Sequence, residues 1–168
     1  MKTDASRSWD FVIRPIRPED NEGVADVIRT VMTSYGLDRP GSAMHDAEVN
    51  RMAEEYGQRG TAYFVAERDG KIWAGGGIAP LIAGEPGTCE LRKMYSLPEA
   101  RGIGLGKRLL ETCLAAAKKM GYKRCYLETI AEMTDARRLY ERSGFVQSRS
   151  AQGETGHFAC DVWYVREL

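Results

Sequence analysis

The sequence predicts an α/β (α+β) fold in which a mixed, mostly antiparallel central sheet of about seven strands is flanked by about four helices. Two patterns predict it. In the first half of the chain, turn residues join short alternating apolar segments, which is typical of antiparallel hairpins. In the second half, strands alternate with helices, and such a crossover places at least one pair of strands in parallel. The 168 residues suffice for one domain, which we expect over 11–168 behind a flexible tail, residues 1–10.

Strand and turn signals alternate through the first half of the chain. Pro15 places the first strand at or near a sheet edge, because proline cannot donate to a neighbouring strand. Asp69-Gly70 is a hairpin signal, and the triplet Gly75-Gly76-Gly77 indicates either a bulge or a close approach of another group. In order, we predict a strand over 11–16, a helix from Pro18 to Gly36, a loop over 37–45, a short helix over 46–56, hairpin strands over 62–67 and 71–74, and a strand from about Thr88.

The second half begins with the longest predicted helix, which carries apolar residues at helical spacing from Leu105 and Leu109 onward. Gly121 lies past its end and Gly144 lies past the end of the next helix, where glycine favours termination. In order, we predict a helix over 104–120, a strand over 124–129, a helix over 134–143, and two last strands over 145–148 and 157–166 that a glycine-rich loop joins.

Composition argues against several classes of protein. Lysine plus arginine and aspartate plus glutamate both number 24, so the net charge lacks the basic excess of a nucleic-acid-binding surface. No apolar run reaches membrane-spanning length and the first residues lack a signal-peptide pattern, so we expect a cytoplasmic protein without a membrane partner. The four cysteines form no CxxC pair and there are two histidines, so we expect no metal site and reduced core cysteines.

A glycine-rich turn, Arg101–Gly106, separates a predicted strand from the longest helix. Closely spaced glycines expose backbone N–H groups, and the helix adds its positive N-terminal end, so the turn can bind an anion such as a phosphate. It is not a Walker loop, because Arg101 stands where that motif needs glycine and Arg108 where it needs serine or threonine. It is not a Rossmann fingerprint either, because the glycines read G-x-G-x-G.

In this setting the turn resembles the pyrophosphate loop of the GCN5-related N-acetyltransferases, which use acetyl-coenzyme A. The resemblance rests on the segment Cys89–Gly106 and on a second segment, Ala136–Phe145, which is similar to the family's A-x-x-L-Y-x-x-x-G-F pattern. The two segments lie about 30 residues apart with a strand between them, and together they are a specific signal. The likeness extends over Phe11 to Leu168 and implies the family's acyl-CoA N-acyltransferase fold.

The resemblance implies a role for each matching position. Glu90 lies where histone-type members keep a general base, and Tyr140 lies where many members keep the acid that protonates the leaving thiolate. Many members carry asparagine where this chain has Met133, so that contact to the cofactor arm is absent from the pattern. The implied cofactor-binding residues are Met94, Tyr95 and Ser96 along the pantetheine arm, and Arg101, Gly102, Ile103, Gly104, Leu105, Gly106 and Lys107 around the pyrophosphate.

Transfer of an acetyl group to an amine needs a base, a stabilised oxyanion and a leaving thiolate. An ordinary glutamate, with a pKa of about 4.3, is too weak a base for an ammonium group, so Glu90 would need burial to raise its pKa. A backbone N–H near Met94 could bind the oxyanion. By strand alternation Glu90, Arg92 and Met94 share one face, which places base and cofactor clamp about 13 Å apart at about 3.3 Å per residue. Substrate or water would have to span that distance.

Several alternatives remain open at this stage. Glu90 could instead form an ordinary ion pair, and Glu128 is a second candidate base. His157 and Cys160 lie three apart in a predicted strand and would face opposite ways, so we do not expect them to cooperate.

The leading functional hypothesis is direct transfer, in a ternary complex, from acetyl-CoA to the primary amine of a small molecule or peptide. The alternatives are a non-catalytic acyl-CoA sensor on the same fold, an O-acyltransferase, or an enzyme for a longer acyl chain. We expect the loops 37–45 and 151–156 to shape the acceptor site, and a homodimer through edge strands is plausible by analogy.

Overall fold

A computed structural model of the protein describes Arg7 and residues 10–168. Seven strands form one sheet in the order β1-β2-β3-β4-β5-β7-β6. The strands are β1 (Val12–Pro15), β2 (Ala62–Arg68), β3 (Lys71–Pro80), β4 (Thr88–Ser96), β5 (Arg124–Thr129), β6 (Val146–Ser148) and β7 (Val162–Glu167). Neighbouring strands are antiparallel except for β4 and β5, which are parallel. The predicted mixed sheet is confirmed, and β1 forms an edge. Most of the predicted tail, 1–10, lies outside the described residues.

Four α-helices accompany the sheet in the described part of the chain, as predicted. They are α1 (Asn21–Ser34), α2 (Met52–Glu55), α3 (Leu105–Lys119) and α4 (Thr134–Arg142). The short helix predicted over 46–56 is not continuous: it divides into a 3₁₀ turn, Ala47–Asn50, and the single turn α2. The break falls at Arg51, whose φ of −141° and ψ of 41° leave the helical region. Within the described ranges, no helix has the length and apolar character needed to cross a membrane.

Side chains of the central strands pack alternately on the two faces of the sheet. Tyr63 and Val65 of β2 belong to the hydrophobic cluster built around α1. Phe64 and Ala66, the alternate residues, pack into clusters that contain the buried face of α3. The helices therefore cover both faces, and each strand residue contributes to one core or the other.

Strands β4 and β5 separate partway along their length. Their parallel pairing covers three positions and ends where Glu90 lies beside Tyr126. Beyond that point residues 91–96 of β4 pair with β3 alone, while β5 continues its pairing with β7. The result is a notch in the middle of the sheet, and the predicted site residues lie around it.

Candidate active site

Three consecutive glycines in β3 shape the strand beside them. A Cβ on Gly75 would lie 2.6 Å from the Tyr63 hydroxyl, and one on Gly77 would lie 2.5 Å from the Tyr63 ring. Because glycine has no Cβ, the Tyr63 side chain can lie across β3. Its hydroxyl donates a 2.7 Å hydrogen bond to the carbonyl of Lys93 in β4. The register also shifts between Gly75 and Gly77. The triplet thus has both properties that its sequence suggested, a bulge and a close approach.

Strand β4 carries a β-bulge in which Lys93 and Met94 together occupy the place of one residue on β3. Lys93 has a φ of 47°, in the left-handed region. Met94 consequently packs with the α3 face of the core, whereas Glu90 and Arg92 bond each other on the opposite face. The prediction that Glu90, Arg92 and Met94 share one face is therefore wrong, because the extra residue reverses the alternation beyond Arg92.

A groove of about 670 Å³ extends from the notch to the N-terminal end of α3. Gly102 and Gly104 adopt φ angles of 74° and 82°, a left-handed conformation that glycine adopts without strain. Arg101 curls back, and its Nε donates a 2.9 Å hydrogen bond to the carbonyl of Ser96. Of the predicted cofactor-binding residues, those that line the groove are Met94, Tyr95, Ser96, Arg101, Gly102, Gly104, Gly106 and Lys107.

The other two predicted cofactor-binding residues turn their side chains away from the groove. Ile103 and Leu105 are buried in the hydrophobic core, and their side chains anchor the turn from below. Such anchoring fixes the direction of the backbone N–H groups at the helix start, where the first turn of an α-helix leaves them without an intrahelical partner. The turn is therefore held from the core side and open on the groove side.

Met133 lies at the point where the family pattern often has asparagine. It precedes α4 and makes no side-chain hydrogen bond that caps the helix. Its thioether instead accepts a 3.7 Å hydrogen bond from the Thr129 hydroxyl. The amide contact that an asparagine would offer to a cofactor arm is thus replaced by an apolar wall.

A second cavity, of about 50 Å³, adjoins the groove on the opposite side of the notch. Glu90 lines this cavity, is 2% exposed and accepts a hydrogen bond from Arg92. Burial raises the pKa of Glu90 above its ordinary value, and the neighbouring Arg92 guanidinium opposes part of that rise. The raised pKa is the change that a general base for an ammonium group requires.

Lys93 enters the site from the bulge, with a side chain that is 1% exposed. Its Nζ lies 2.6 Å from Asp46 Oδ2 and 2.5 Å from Glu48 Oε1. Glu48 also accepts a 3.0 Å hydrogen bond from the Tyr56 hydroxyl. Burial, the largest single influence, would raise the pKa of Glu48, but the charge and hydrogen bond of Lys93 together with the Tyr56 hydrogen bond and the charge of Arg92 hold that pKa below its ordinary value. Lys93 therefore holds both carboxylates charged beside the cavity.

His157 bonds the same carboxylate from the other side. Its Nε2 lies 2.8 Å from Asp46 Oδ2. Burial, the largest single influence, would lower the pKa of His157, but the hydrogen bond to Asp46 and the charges of Asp46 and Glu90 together raise it. For Asp46 burial would raise the pKa, yet the bond from His157 and the charge of Lys93 hold it below its usual value. These opposite shifts favour an imidazolium–carboxylate pair.

The expectation that His157 and Cys160 face opposite ways on a strand is wrong, because β7 begins at Val162. Both residues lie in the irregular segment before that strand, and both line the small cavity. Burial raises the pKa of the Cys160 thiol to about 12, so the thiolate, which is the nucleophilic form, is disfavoured. A nucleophilic role for Cys160 is thus not supported.

Glu128, the second candidate base, also lines the cavity. It accepts a 3.0 Å hydrogen bond from the Tyr126 hydroxyl and another from the Thr155 hydroxyl. One potential ligand atom each of Glu90, Glu128 and His157 lie within 4.8 Å of one another, close enough to hold a metal ion. Each already bonds a protein partner, so in this arrangement the three form part of a hydrogen-bonded network.

Tyr140 lies where the groove and the cavity meet, and it lines both. It is 6% exposed, packs edge-on against Phe145, and its pKa is raised by burial. Among the described residues no hydrogen-bond partner of its hydroxyl is found. A protonated phenol is therefore available at the junction between the two spaces.

The two loops that we expected to shape the acceptor site contact each other. Gly41 has a φ of 82°, and a Cβ there would lie 2.5 Å from the ring of Phe158. The ring thus rests on the glycine backbone, and Ala159 N donates a 3.4 Å hydrogen bond to the Gly41 carbonyl. The contacting residues are 41 and 158–159, so the second loop extends past the predicted 151–156.

Sequence reasoning did not identify Ser42, Glu48, Lys93 or Thr155 as site residues. Lys93 stands in the most specific segment of the chain, but strand alternation assigned it to the wrong face. The bulge could have been suspected from the facing triplet Gly75-Gly76-Gly77, which was noted without being connected to β4. Ser42 and Thr155 lie in the loops predicted to shape the acceptor site but were not singled out there. For Glu48 the sequence carries no signal, because only the fold brings it to the notch.

The sequence and the fold are similar to those of known proteins. Residues 28–145 match the profile of the Acetyltransferase (GNAT) family. A relative from Escherichia coli strain K12, described as uncharacterized N-acetyltransferase YjgM, is 45% identical over 158 residues, which cover 94% of this chain and 95% of that protein.

Solved structures share the fold at low sequence identity. An acetyltransferase of the GNAT family from Staphylococcus aureus superimposes with a TM-score of 0.81 and 18% identity, covering 94% of this chain and 99% of that one. The PaiA N-acetyltransferase from Thermoplasma acidophilum, solved in complex with coenzyme A, has a TM-score of 0.71 and 18% identity, with 94% and 99% covered.

Proposed function

This chain belongs to the GNAT family of acetyltransferases, and we propose that it moves an acetyl group from acetyl-CoA directly to a primary amine of a small molecule or peptide within a ternary complex. One observation supports the proposal most directly: the groove and the small cavity meet at the side chain of Tyr140. The groove of about 670 Å³ and the cavity of about 50 Å³ share the lining residues Met94, Tyr95, Met133 and Tyr140. A thioester from one side and an amine from the other would react at that junction.

The groove suits the diphosphate and arm of the coenzyme. The turn from Gly102 to Lys107 offers backbone N–H groups at a helix N-terminus, where anions are stabilised. Arg101 and Lys107 add positive charge at its rim. Residues 94–96 of β4 have lost β5 as a neighbour, so their backbone groups can pair with the arm as an added strand would.

The cavity suits activation of the amine. Glu90 would accept the proton that the ammonium must lose before its nitrogen attacks the thioester carbonyl. The locally unpaired backbone of the bulge near Met94 would donate to the oxyanion that forms. As the carbon–sulfur bond breaks, Tyr140 would give its proton to the sulfur, and the second proton of the attacking nitrogen would pass through water to the phenolate and restore the phenol. The first proton, held by Glu90, would be released to solvent.

Two measurements test the proposal on the intact chain. Calorimetry with coenzyme A should give a binding heat, and a thiol-release assay with acetyl-CoA and a panel of primary amines should show turnover. Tyr140→Phe should lower kcat by about 100-fold while the Kd for coenzyme A stays unchanged. Tyr122→Phe is the matched control, because that hydroxyl bonds the Gly60 carbonyl outside both spaces, and its kcat should stay normal.

Three outcomes count against parts of the proposal. Full turnover by Tyr140→Phe would remove the phenol as the acid. Binding of coenzyme A without thiol release for any amine would favour the sensor hypothesis. An absent binding heat would overturn the cofactor assignment itself.

A further inference from the structure

Ser42 carries a buried hydroxyl that nothing in the described chain satisfies. It is 4% exposed, and its Oγ lacks a hydrogen-bond partner among the described residues. Its main chain is fully engaged, since its N–H bonds the Arg39 carbonyl and its carbonyl accepts from His45. A buried polar group without a partner costs about 1–3 kcal/mol, so such groups are rare in native proteins.

Ser42, which bears the unpaired hydroxyl, is one of the residues that line the small cavity that also holds Glu90. It enters from the 3₁₀ turn Ala43–His45, for which it is the N-cap, and that turn packs against α1. A hydroxyl both donates and accepts. The position therefore suits a neutral hydrogen-bonding group of a bound molecule.

The charges around the cavity are unequal. Glu90 and Glu128 line the cavity, and Asp46 and Glu48 stand behind its wall, bonded to Lys93 and His157. Together these four carboxylates face Arg92, Lys93 and a protonated His157, which leaves one negative charge in excess. An excess of negative charge in a buried site stabilises a bound cation.

Neither permanent cation of this cluster is left over for a ligand. Lys93 bonds Asp46 and Glu48, and Arg92 bonds Glu90 and the Pro80 carbonyl. Among the described charged residues that line the cavity, a carboxylate on the ligand would thus find no cation that is not already paired. Burying an unpaired charge is strongly unfavourable.

The size of the cavity limits the part of the ligand that enters it. About 50 Å³ of space corresponds to roughly four water molecules at about 10–15 Å³ each. A chain of a few non-hydrogen atoms fills it.

We propose that the acceptor is a compact primary amine with one positive charge, a neutral hydrogen-bonding group such as a hydroxyl, and no carboxylate, and that Ser42 Oγ bonds the neutral group. This assignment rests on the proposed function and adds the chemical class of its acceptor. The ammonium lies toward Glu90 and Glu128, and the neutral group lies toward the turn that bears Ser42.

Four amines of equal chain length separate the requirements in the thiol-release assay: propylamine, 3-amino-1-propanol, β-alanine and 1,3-diaminopropane. We expect kcat/KM for 3-amino-1-propanol to exceed that for propylamine by about tenfold, since a hydrogen bond of about 1.4 kcal/mol is worth that factor. β-Alanine should fall at least tenfold below propylamine because its carboxylate has no partner. A preference for β-alanine or for the diamine over 3-amino-1-propanol would overturn the proposal.

A pair of variants tests the role of Ser42. In Ser42→Ala the preference for 3-amino-1-propanol over propylamine should fall from about tenfold to near one. Thr88→Val is the matched control, because the Thr88 hydroxyl is equally buried and unpaired but lies at the start of β4, outside the cavity. That variant should keep the preference, and thermal melting checks that both variants fold. An unchanged preference in Ser42→Ala would overturn the assignment.

Calorimetry distinguishes failure of this proposal from failure of the proposed function. If the protein binds coenzyme A, yet none of the four amines is acetylated or gives a binding heat with the coenzyme present, the acceptor class is wrong and the cofactor site stands. If coenzyme A itself does not bind, the proposed function is wrong.

Discussion

The groove and the small cavity meet at Tyr140 but are built in different ways. The groove is lined mainly by two continuous stretches, 94–107 and 133–143, and three glycines of the turn contribute to its wall. The cavity draws on segments around residues 42, 90, 128 and 157, and five acidic or basic side chains contribute to its wall. A site made from contiguous backbone appears in the sequence as a motif. A site assembled from distant side chains does not.

The two regions also differ in how much their charges matter to stability. Lys107, at the groove, pairs with Glu111 at 3.8 Å, and both side chains are more than half exposed. Lys93, at the cavity, is almost fully buried between two carboxylates. Solvent weakens the first kind of pair, whereas the second is costly to disrupt because it leaves uncompensated charges inside the protein.

The largest expected effect therefore concerns Lys93. Lys93→Met should lower the free energy of unfolding by about 3–5 kcal/mol, because Asp46 and Glu48 lose their common cation. Lys107→Met should change it by less than about 0.5 kcal/mol. Urea denaturation of both variants at neutral pH, without ligand, measures the contrast. Equal losses would show that the two regions do not differ in this way.

The next effect concerns Glu90, the proposed base in the cavity. Glu90 must be deprotonated to act, so activity should fall as the pH drops through its pKa, which burial places above the ordinary value. Glu90→Gln should lower kcat/KM by about 100-fold or more and shift the acidic limb of the pH–rate profile, while the alkaline limb persists. Glu128→Gln is the comparison variant. If only the latter moves the acidic limb, the base is Glu128.

The smallest effect concerns the backbone of the groove. Gly102→Ala should raise the Kd for coenzyme A by about tenfold, because a left-handed conformation costs alanine about 1–2 kcal/mol and the turn relaxes away from it. Gly121 has a similar φ of 90° and open space around it, but it follows the far end of α3. Gly121→Ala should incur the same strain without any change in Kd measured by calorimetry. If the Kd for coenzyme A rose equally in both variants, general destabilisation of the protein would be responsible.

The same contrast explains what could be predicted from the sequence. The glycine-rich turn between strand and helix was predictable, and Gly102 and Gly104 adopt positive φ angles there, since the requirement for glycine is local. The strand and helix order was predictable too, because apolar periodicity and turn residues act over short ranges. The burial of Glu90 at 2% exposure was not, because it depends on what β5 and the loops place over β4.

Other features escaped prediction for related reasons. Lys93 was assigned to the wrong face because one extra residue inverts the alternation, and the cause lies across the sheet in β3. His157 was assigned to a strand because apolar residues near it resemble one, whereas its partner Asp46 stands 111 positions away. The break at Arg51 falls inside a segment whose pattern is helical, and helix propensity alone does not report it.

The contact between Gly41 and Phe158 carries a lesson for redesign. Since the aromatic ring occupies the place that any larger residue at position 41 would need, these two surface segments can only be exchanged together. A chimera that imports one of them from a homologue inherits a steric conflict at the seam. To redesign this protein for new amines, both segments would have to be replaced together, while the notch between β4 and β5 is kept.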